Sequence, residues 1–561
     1  MNAERLLALY ERVAEAPDAI ARLRRFILDL AVRGKLVPQD PQDEPASELL
    51  KRIAKEKARL DRKERIKREP SSFHADADAM QMPQGWALAP LADLVTVLNG
   101  RAYKQNELLS AGTPVLRVGN LFTSDKWYYS MLQLDEDKYC KKGDLIFAWS
   151  ASFGPFIWDG ARVIYHYHIW KLPLHSEADL NKLFLYNFLL QKTREIKEAG
   201  HGISMIHMTK EKMEKLVVPL PPLAEQHRIV AKVDELMALC DQLEAARQER
   251  ESRRDRLAAA SLARLNAPDP ETFQSDACFA LNALPALTTR PNQIKQLRQT
   301  ILNLAVRGKL VPQDPNEEPA SELLKQLKKA RAALEAEGKI RKDKGEPPSH
   351  YGGEQGFDLP HSWLWARLTE IGQTQTGTSP SSANADLFGN FIPFVKPADL
   401  DGNQINYDGP GLSEIGISHS RIAAENSILM VCIGATLGKV NTTSRPVCFN
   451  QQINSLTPFL DGLTAFIAIA LKASDFQSLA WSKAGTGTLP IISKGKWEVL
   501  PIPLPPLAEQ HRIVAKVDEL MALCDRLEAS LTTSDQTRTR LLEATLAEAL
   551  TPASASNMEA I

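Results

Sequence analysis

Several short runs in this 561-residue chain carry residue types that do chemistry, and their spacing decides which chemistry is open to them. Gly434-Ala-Thr-Leu-Gly438-Lys439-Val440 approaches the loop in which backbone N–H groups cradle phosphates. Its glycines stand one residue too close and Val440 has no hydroxyl for magnesium, so it reads as a glycine-rich turn. Asp399-Leu-Asp401-Gly402-Asn403 has the opening carboxylates of a calcium loop, but the glycine is displaced and the closing Glu is absent, which again leaves a turn. His227 and His511 recur at matching places beside Gln and Arg at a helix start, where a polar surface or capping role is expected. The six cysteines, Cys140, Cys240, Cys278, Cys432, Cys448 and Cys524, form no C-x-x-C pair, so neither a zinc site nor a disulfide framework is encoded. No G-x-G-x-x-G opens a helix, and neither H-E-x-x-H nor G-x-S-x-G occurs. The sequence supports no active site and no metal site of its own.

What must be positioned, then, is a binding surface rather than a catalytic group. Lys plus Arg (68) and Asp plus Glu (69) nearly cancel, and 44% hydrophobic with 24% charged residues is the balance of an ordinary folded protein. The longest clean apolar run, Ala465 to Leu471, is far short of the roughly 18 residues that span a bilayer. A cytoplasmic protein without a membrane partner is expected.

The chain repeats itself. Leu30 to Lys51 returns at Leu304 to Lys325, identical at 20 of 22 positions, and Pro219 to Ala245 returns at Pro503 to Ala529 with Arg526 for Gln242 as the only change. The offsets, 274 and 284, differ by ten, so each half is a repeated frame around an insert that differs between halves. Ile229, Val233, Leu236, Cys240 and Leu243 step by 4, 3, 4, 3, as do Ile513, Val517, Leu520, Cys524 and Leu527, the spacing of a coiled-coil seam. A helix from Leu223 to Leu265 would span about 65 Å, and its copy runs from Leu507 towards Leu550. Shorter helices are predicted over Pro17 to Val32 and Pro291 to Val306, stopped by Gly34 and Gly308, with further helical stretches from Ser47 and Ser321. Lys51 to Glu69 holds ten cations against four acids, and Lys325 to Glu346 eight against four. These runs read as solvated helix faces or as phosphate contacts.

The boundaries that follow are a helical frame with basic linker over 1–81, an insert over 82–218, a central frame over 219–358, a second insert over 359–502 and a closing helix over 503–561. The inserts open alike, with Trp86 and Trp363 in register, and then alternate short β-rich runs such as TPVLRV, DLIFAW and SILMVCI with helical patches at Asp179 to Lys197 and Leu463 to Leu479. Each reads as a mixed α/β globule.

The words LAVRGKLVPQDP and PLPPLAEQHRIVAKVDEL, which bracket each insert, closely resemble the conserved regions of the specificity subunit of type I restriction-modification systems, and the resemblance covers the whole chain. It implies an α+β protein in which two target-recognition domains are separated by long antiparallel coiled-coil helices with a pseudo-twofold internal repeat. It implies a non-catalytic subunit whose domains each read half of an asymmetric bipartite site on double-stranded DNA. The partners implied are two methyltransferase subunits, which bring S-adenosylmethionine for adenine N6 methylation, and two restriction subunits, which bring ATP and magnesium. No cofactor is expected in this chain. Carried onto these residues, the resemblance places Lys104, Arg117, Asn120, Ser204, Thr209 and Lys210 near DNA in the first insert, and Thr378, Ser379, Lys396, Asp399, Thr488, Ser493 and Lys494 in the second. Arg suits guanine or phosphate, and Asn suits adenine. The exposed faces of Leu223 to Leu265 and Leu507 to Leu550, together with the PQDP turns and with Glu225, Arg228, Glu509 and Arg512, are the expected docking positions for methyltransferase subunits.

Charge tempers this expectation. Lys plus Arg against Asp plus Glu is 16 to 14 over Met82 to Val218 and 9 to 10 over Leu359 to Ile502. Phosphate neutralisation normally supplies much of the affinity for DNA, so the partner subunits are expected to contribute much of the positive charge. A duplicated coiled-coil scaffold whose inserts bind proteins rather than DNA would also be neutral, but it gives no reason for near-identical frames around divergent inserts.

Overall fold

A computed structural model of the chain describes residues 15–64, 82–150, 153–199, 208–266, 271–340, 357–485 and 489–550. It divides into two compact units, Met1–Glu249 with Asp535–Ile561, and Arg250–Ser534. Both are built to one plan, so each is described in turn.

In unit 1, α1 (Ala19–Val32) ends at Gly34, whose φ of 64° lies in the left-handed region. A Cβ there would meet the Pro83 ring at 2.4 Å, so glycine is required by space as well as by conformation. After the PQDP turn comes α2 (Ala46–Glu64). The insert opens on β1 (Ala87–Pro90) and closes on β10 (Val217–Leu220), which pair antiparallel with Ala87 opposite Leu220. Between them lie β2 (Leu98–Asn99), β3 (Thr113–Leu116), β4 (Tyr128–Ser130), β5 (Tyr139–Cys140), β6 (Leu145–Ala148), β7 (Gly154–Ile157), β8 (Val163–Tyr165) and β9 (Ile169–Lys171). They form two four-stranded sheets, β2-β9-β6-β7 and β4-β3-β8-β5, in which only β3 and β8 run parallel. Helices α3 (Lys182–Ala199), α4 (Lys210–Glu214) and the 44-residue α5 (Leu223–Asn266) follow.

Leu28 of α1, Leu49 and Ile53 of α2, Phe184 and Phe188 of α3, and Ile229 and Val233 of α5 share one buried cluster with Leu91, Leu94 and Phe147 of the insert. Frame and insert therefore fold as a single body. Of the seam residues Ile229, Val233 and Cys240 are buried, but Leu243 is 40% exposed, so the heptad pattern runs one step past the packed region.

In unit 2, α6 (Phe273–Leu287), which the seam pattern did not announce, precedes α7 (Pro291–Val306) and α8 (Ala320–Ala336). The insert runs through β11 (Leu364–Arg367), β12 (Gly372–Thr376), β13 (Phe388–Gly389), β14 (Phe394–Val395), β15 (Gly411–Leu412), β16 (Ile422–Ala423), β17 (Ile428–Val431), β18 (Val440–Thr442), β19 (Val447–Phe449) and β20 (Ile453–Pro458). The patch expected as one helix is two, α9 (Thr464–Lys472) and α10 (Ser474–Lys483), because Ala473 is extended between them. Then come α11 (Lys494–Trp497), β21 (Pro501–Leu504) and α12 (Leu507–Leu550), again 44 residues. The sheets are β12-β20-β17-β18, β14-β19-β16 and β13-β15, with β11 paired to β21 as β1 is to β10. Once more a single pair, β14 and β19, is parallel.

Contacts recur with the repeat. In unit 1, where α1 runs against α5, Arg24 Nη2 meets Asp241 at 2.6 Å and Glu244 at 2.7 Å, and Arg247 donates to the Ala16 carbonyl. In unit 2, Arg298 of α7 meets Asp525 at 2.6 Å and Glu528 at 3.1 Å in the same way. Helix α7 runs with the last turns of α5, as Gln293 donates to Asp255 and Asn303 to Asn266. Within unit 2 the end of α5 and the first half of α12 are therefore antiparallel.

Candidate nucleic-acid interface

The parallel pair β3–β8 brings three turns together at one end of the unit 1 insert. The N–H of Arg101 donates to the Tyr165 carbonyl, and the N–H of His166 donates to the Leu116 carbonyl. These two bonds place the Gly100–Arg101 turn, the turn after Leu116 and the His166-Tyr167-His168 turn side by side. Gly100 is obligatory, since a Cβ would lie 2.3 Å from the His166 carbonyl oxygen. The surface so assembled is aromatic and cationic. Arg117 lies 4.5 Å over the Tyr128 ring and Arg101 5.3 Å over the Tyr103 ring, the range of cation–π attraction. Arg101 also forms a two-pronged bond to Glu107, at 2.8 and 3.0 Å.

Burial, then the nearby His168 and Arg117, push the His166 imidazole down to about 4, so it is neutral at physiological pH. Its Nδ1 accepts from the His168 N–H at 3.5 Å, which leaves Nε2–H as the donor. Burial likewise pushes the Tyr103 hydroxyl up to about 12. Arg117 Nε and Tyr103 Oη are both buried with no hydrogen-bond partner among the described residues. Buried polar atoms left open are costly in a finished core and ordinary where a ligand completes them. Tyr167, at the tip of its turn, is 39% exposed.

Unit 2 carries the same scaffold with different residues. The N–H of Thr378 donates to the Phe449 carbonyl, and the N–H of Asn450 to the Val395 carbonyl. A Cβ on Gly377 would lie 2.2 Å from the Asn450 oxygen, as one on Gly100 would from that of His166. Asn450 Oδ1 accepts from the Gln452 N–H at 3.1 Å, the counterpart of His166 accepting from His168. Thus Arg101 matches Thr378, Arg117 matches Lys396, and His166-Tyr167-His168 matches Asn450-Gln451-Gln452. The second surface is made of amides and hydroxyls: Ser379 Oγ donates to Gln451 at 2.5 Å, and Thr376 Oγ1 donates to Asn454, whose Nδ2 is buried and open. Gln451, like Tyr167, is the exposed tip.

The residues expected near DNA divide in three. Lys104, Arg117, Thr378, Ser379 and Lys396 lie on these turns, with Lys104, Thr378, Ser379 and Lys396 exposed. Asn120 and Asp399 are on them too, but their side chains close the turns. Asn120 accepts from the Arg117 N–H at 3.1 Å and donates to the carbonyls of Ser124 and Lys126, while Asp399 accepts from the Lys396 N–H at 2.8 Å. Both amide hydrogens of Asn120 are spent on these carbonyls, so the two-pronged donor–acceptor pairing with adenine is closed to it in this conformation and its side chain serves the turn. Thr209 and Ser493 are N-caps that accept from Lys212 and Lys496, and Lys210 and Lys494 begin the capped helices α4 and α11. Ser204 and Thr488 lie outside the described residues.

The docking expectation is corrected for Glu225 and Glu509. Glu225 and Glu509 are each 1% exposed, beneath the indoles of Trp86 and Trp363, and so cannot meet a partner directly. Arg228 and Arg512 are held by Asp43 and Glu317 of the PQDP-turn region. All four anchor the start of a long helix, the two Glu to the opening of the insert and the two Arg to the frame segment before it. Lys439 is equally ordinary, closing the β17–β18 hairpin with its Nζ on the Leu400 carbonyl. Sequence reasoning missed the turns at 166–168 and 450–452. Their only signal was a run of polar and aromatic residues between two strands.

The family model of the type I restriction modification DNA specificity domain matches residues 83–250 and again 360–534. The EcoAI type I restriction enzyme specificity subunit of Escherichia coli is 31% identical over 556 residues, covering 94% of this chain and 93% of that protein. The EcoEI specificity subunit of Escherichia coli is 30% identical over 568 residues, with the same coverage of 94% and 93%. A solved structure from work on assembly and conformational transition of the type I R-M system covers 83% of this chain and 98% of its own, at 21% identity and a TM-score of 0.48.

Proposed function

The chain belongs to the family of type I restriction-modification specificity subunits, and from that membership we infer a DNA sequence-recognition subunit whose two insert domains each read one half of an asymmetric bipartite site. One observation carries the two-half reading. The turns of both inserts are held by the same backbone hydrogen bonds and the same close-packed glycine, yet Arg101, His166, Tyr167 and His168 are replaced by Thr378, Asn450, Gln451 and Gln452. Identical scaffolds with different tips are what reading two different base sequences requires, since bases are distinguished by side-chain donors and acceptors rather than by backbone.

The chain itself is non-catalytic in this reading. Methyltransferase subunits, two per specificity subunit, supply S-adenosylmethionine and methylate adenine N6. Restriction subunits supply ATP- and magnesium-dependent cleavage, and the assembly works in the cytoplasm on double-stranded DNA. Among the described residues no helix is long and apolar enough to cross a membrane.

The decisive experiment maps N6-methyladenine by long-read sequencing in cells expressing this chain with its methyltransferase subunit, against cells lacking only this chain. A split motif methylated on both strands and absent from the control is the expected result. A stable complex that yields no motif would favour the scaffold.

A further inference from the structure

Beside the reading turns of unit 2, and sharing Thr376 with them, lies a polar cleft of about 540 Å³. Its floor is β12, an edge strand whose outer side pairs with no other strand among the described residues. Around it stand Arg331 of α8, Lys339, Arg421 and Lys494, against the one carboxylate of Glu498. Lys494 is ion-paired with Glu498, Lys339 with Glu337 at 2.7 Å, and Arg331 with Glu335 at 2.9 Å. Arg421 is exposed and makes no ion pair or side-chain hydrogen bond among the described residues. It adjoins Ser420, whose hydroxyl donates to the Thr378 carbonyl on the reading turn. The basic run that begins at Lys325 thus meets the reading surface at this cleft.

The repeat supplies an independent test of what the cleft is for. The strand pairings Tyr139–Ile164 and Ile422–Cys448 make Lys138 of unit 1 the counterpart of Arg421. The capped helices α4 and α11 make Lys210 the counterpart of Lys494, and the repeated frame makes Lys57 the counterpart of Arg331. Lys138 Nζ sits on the Asn99 carbonyl, at the strand position matching Thr376 in the wall of the cleft. Positive charge is therefore kept at two matching places in inserts that otherwise share little, and at a third in the repeated frame beside them, while the tips of the reading turns change chemistry completely. Side chains that read bases must differ between half-sites, whereas side chains that hold the backbone need not, because every nucleotide carries the same phosphate.

We propose that this cleft seats a DNA backbone phosphodiester flanking the second half-site, with Arg421 as its principal cation and Arg331, Lys339 and Lys494 around it. Lys138, Lys210 and Lys57 are the corresponding positions at the first half-site. The proposal rests on the DNA-recognition reading and adds to it a contact that fixes position without selecting sequence. It also gives the second insert, whose charges nearly cancel, a localised phosphate site.

The test uses the full chain assembled with its methyltransferase subunit. Binding to a duplex carrying its methylated motif, and to a scrambled duplex, is measured by fluorescence anisotropy between 50 and 200 mM salt for wild type, Arg421→Gln and Arg421→Lys. Arg421→Gln is expected to weaken binding to both duplexes by the same factor, and to lower the slope of log K against log salt by about 0.9, so that its deficit shrinks about 3.5-fold across that range. Arg421→Lys should retain the slope, and the methylated motif should be the same for all three. An unchanged slope in Arg421→Gln, or a loss confined to the motif duplex, would overturn the proposal. Equal binding of both duplexes by the wild-type complex would instead remove the recognition reading, while the slope comparison would still decide the phosphate contact.

Discussion

The indole Nε1–H of Trp86 donates to the Glu225 carboxylate at 3.0 Å, fastening the opening of the first insert to the start of the long helix that leaves it. Trp363 does the same to Glu509 at 2.9 Å. Burial raises both carboxyl groups above the ordinary Glu value, against the opposing pull of the indole bond. A raised folded-state value means stability that is complete below the unfolded value and lost as pH rises through the folded one.

Glu225→Gln keeps an acceptor for Trp86 and removes the charge, so it should unfold at least as late in urea as wild type at pH 7.5, with the gap closing towards pH 4. Glu225→Ala strands the indole N–H and should cost about 1–3 kcal/mol. Urea unfolding at the two pH values checks both; a Gln variant weaker than wild type at pH 7.5 would refute the account.

Arg228 and Asp43 form a bond of 2.6 Å that leaves the Asp 9% exposed. Arg228→Ala and Asp43→Ala should each destabilise by about 1 kcal/mol, and the double variant by little more than either, because the two removals act on one interaction. If Arg228→Ala weakens capture of the methyltransferase subunit while Asp43→Ala does not, Arg228 has a docking role after all.

Gln451 is the exposed tip of the second reading turn. Gln451→Ala should slow methylation of the native motif by about 5- to 150-fold, the equivalent of losing one base contact of about 1–3 kcal/mol. Oligonucleotides altered in the second half-site should then be tolerated, with discrimination in the first half intact. Loss of discrimination in both halves would show that the turn supports the fold rather than reads.

His166, depressed to about 4, lends stability that is present above its unfolded value of about 6.5 and lost as pH falls from there towards 4. Its ring proton resonances should stay flat from pH 8 to pH 5.5, and His166→Asn, which installs the residue type found at the matching position 450, should flatten that part of the stability profile. A titration midpoint near 6.5 would show that the ring is solvated.

Much of this was legible in the chain. The frame helices follow from apolar spacing and from words repeated nearly letter for letter, and α5 and α12 end within a residue of where that spacing and its proline stop predict. Asn120 was misread because an Asn beside an Arg looks the same in sequence whether its amide faces a base or closes a turn. Glu225 was misread because a carboxylate at a helix start is usually exposed, and only the distant Trp86 covers it. The reading turns were illegible for a topological reason. Residues near 100, 117 and 166 meet through a parallel pairing of β3 with β8, and nothing local to any of them announces the others.

The antiparallel ribbon in which Ala87 faces Leu220, and its copy in which Leu364 faces Leu504, has a genetic consequence. A segment that enters and leaves its host by adjacent strands presents the same two-stranded stump whatever lies beyond it. Flanked by stretches nearly identical in amino-acid sequence, such a segment can be traded, within one gene or between related ones, without disturbing the frame. New DNA addresses can then arise in a single event, with the enzymes that obey them left unchanged.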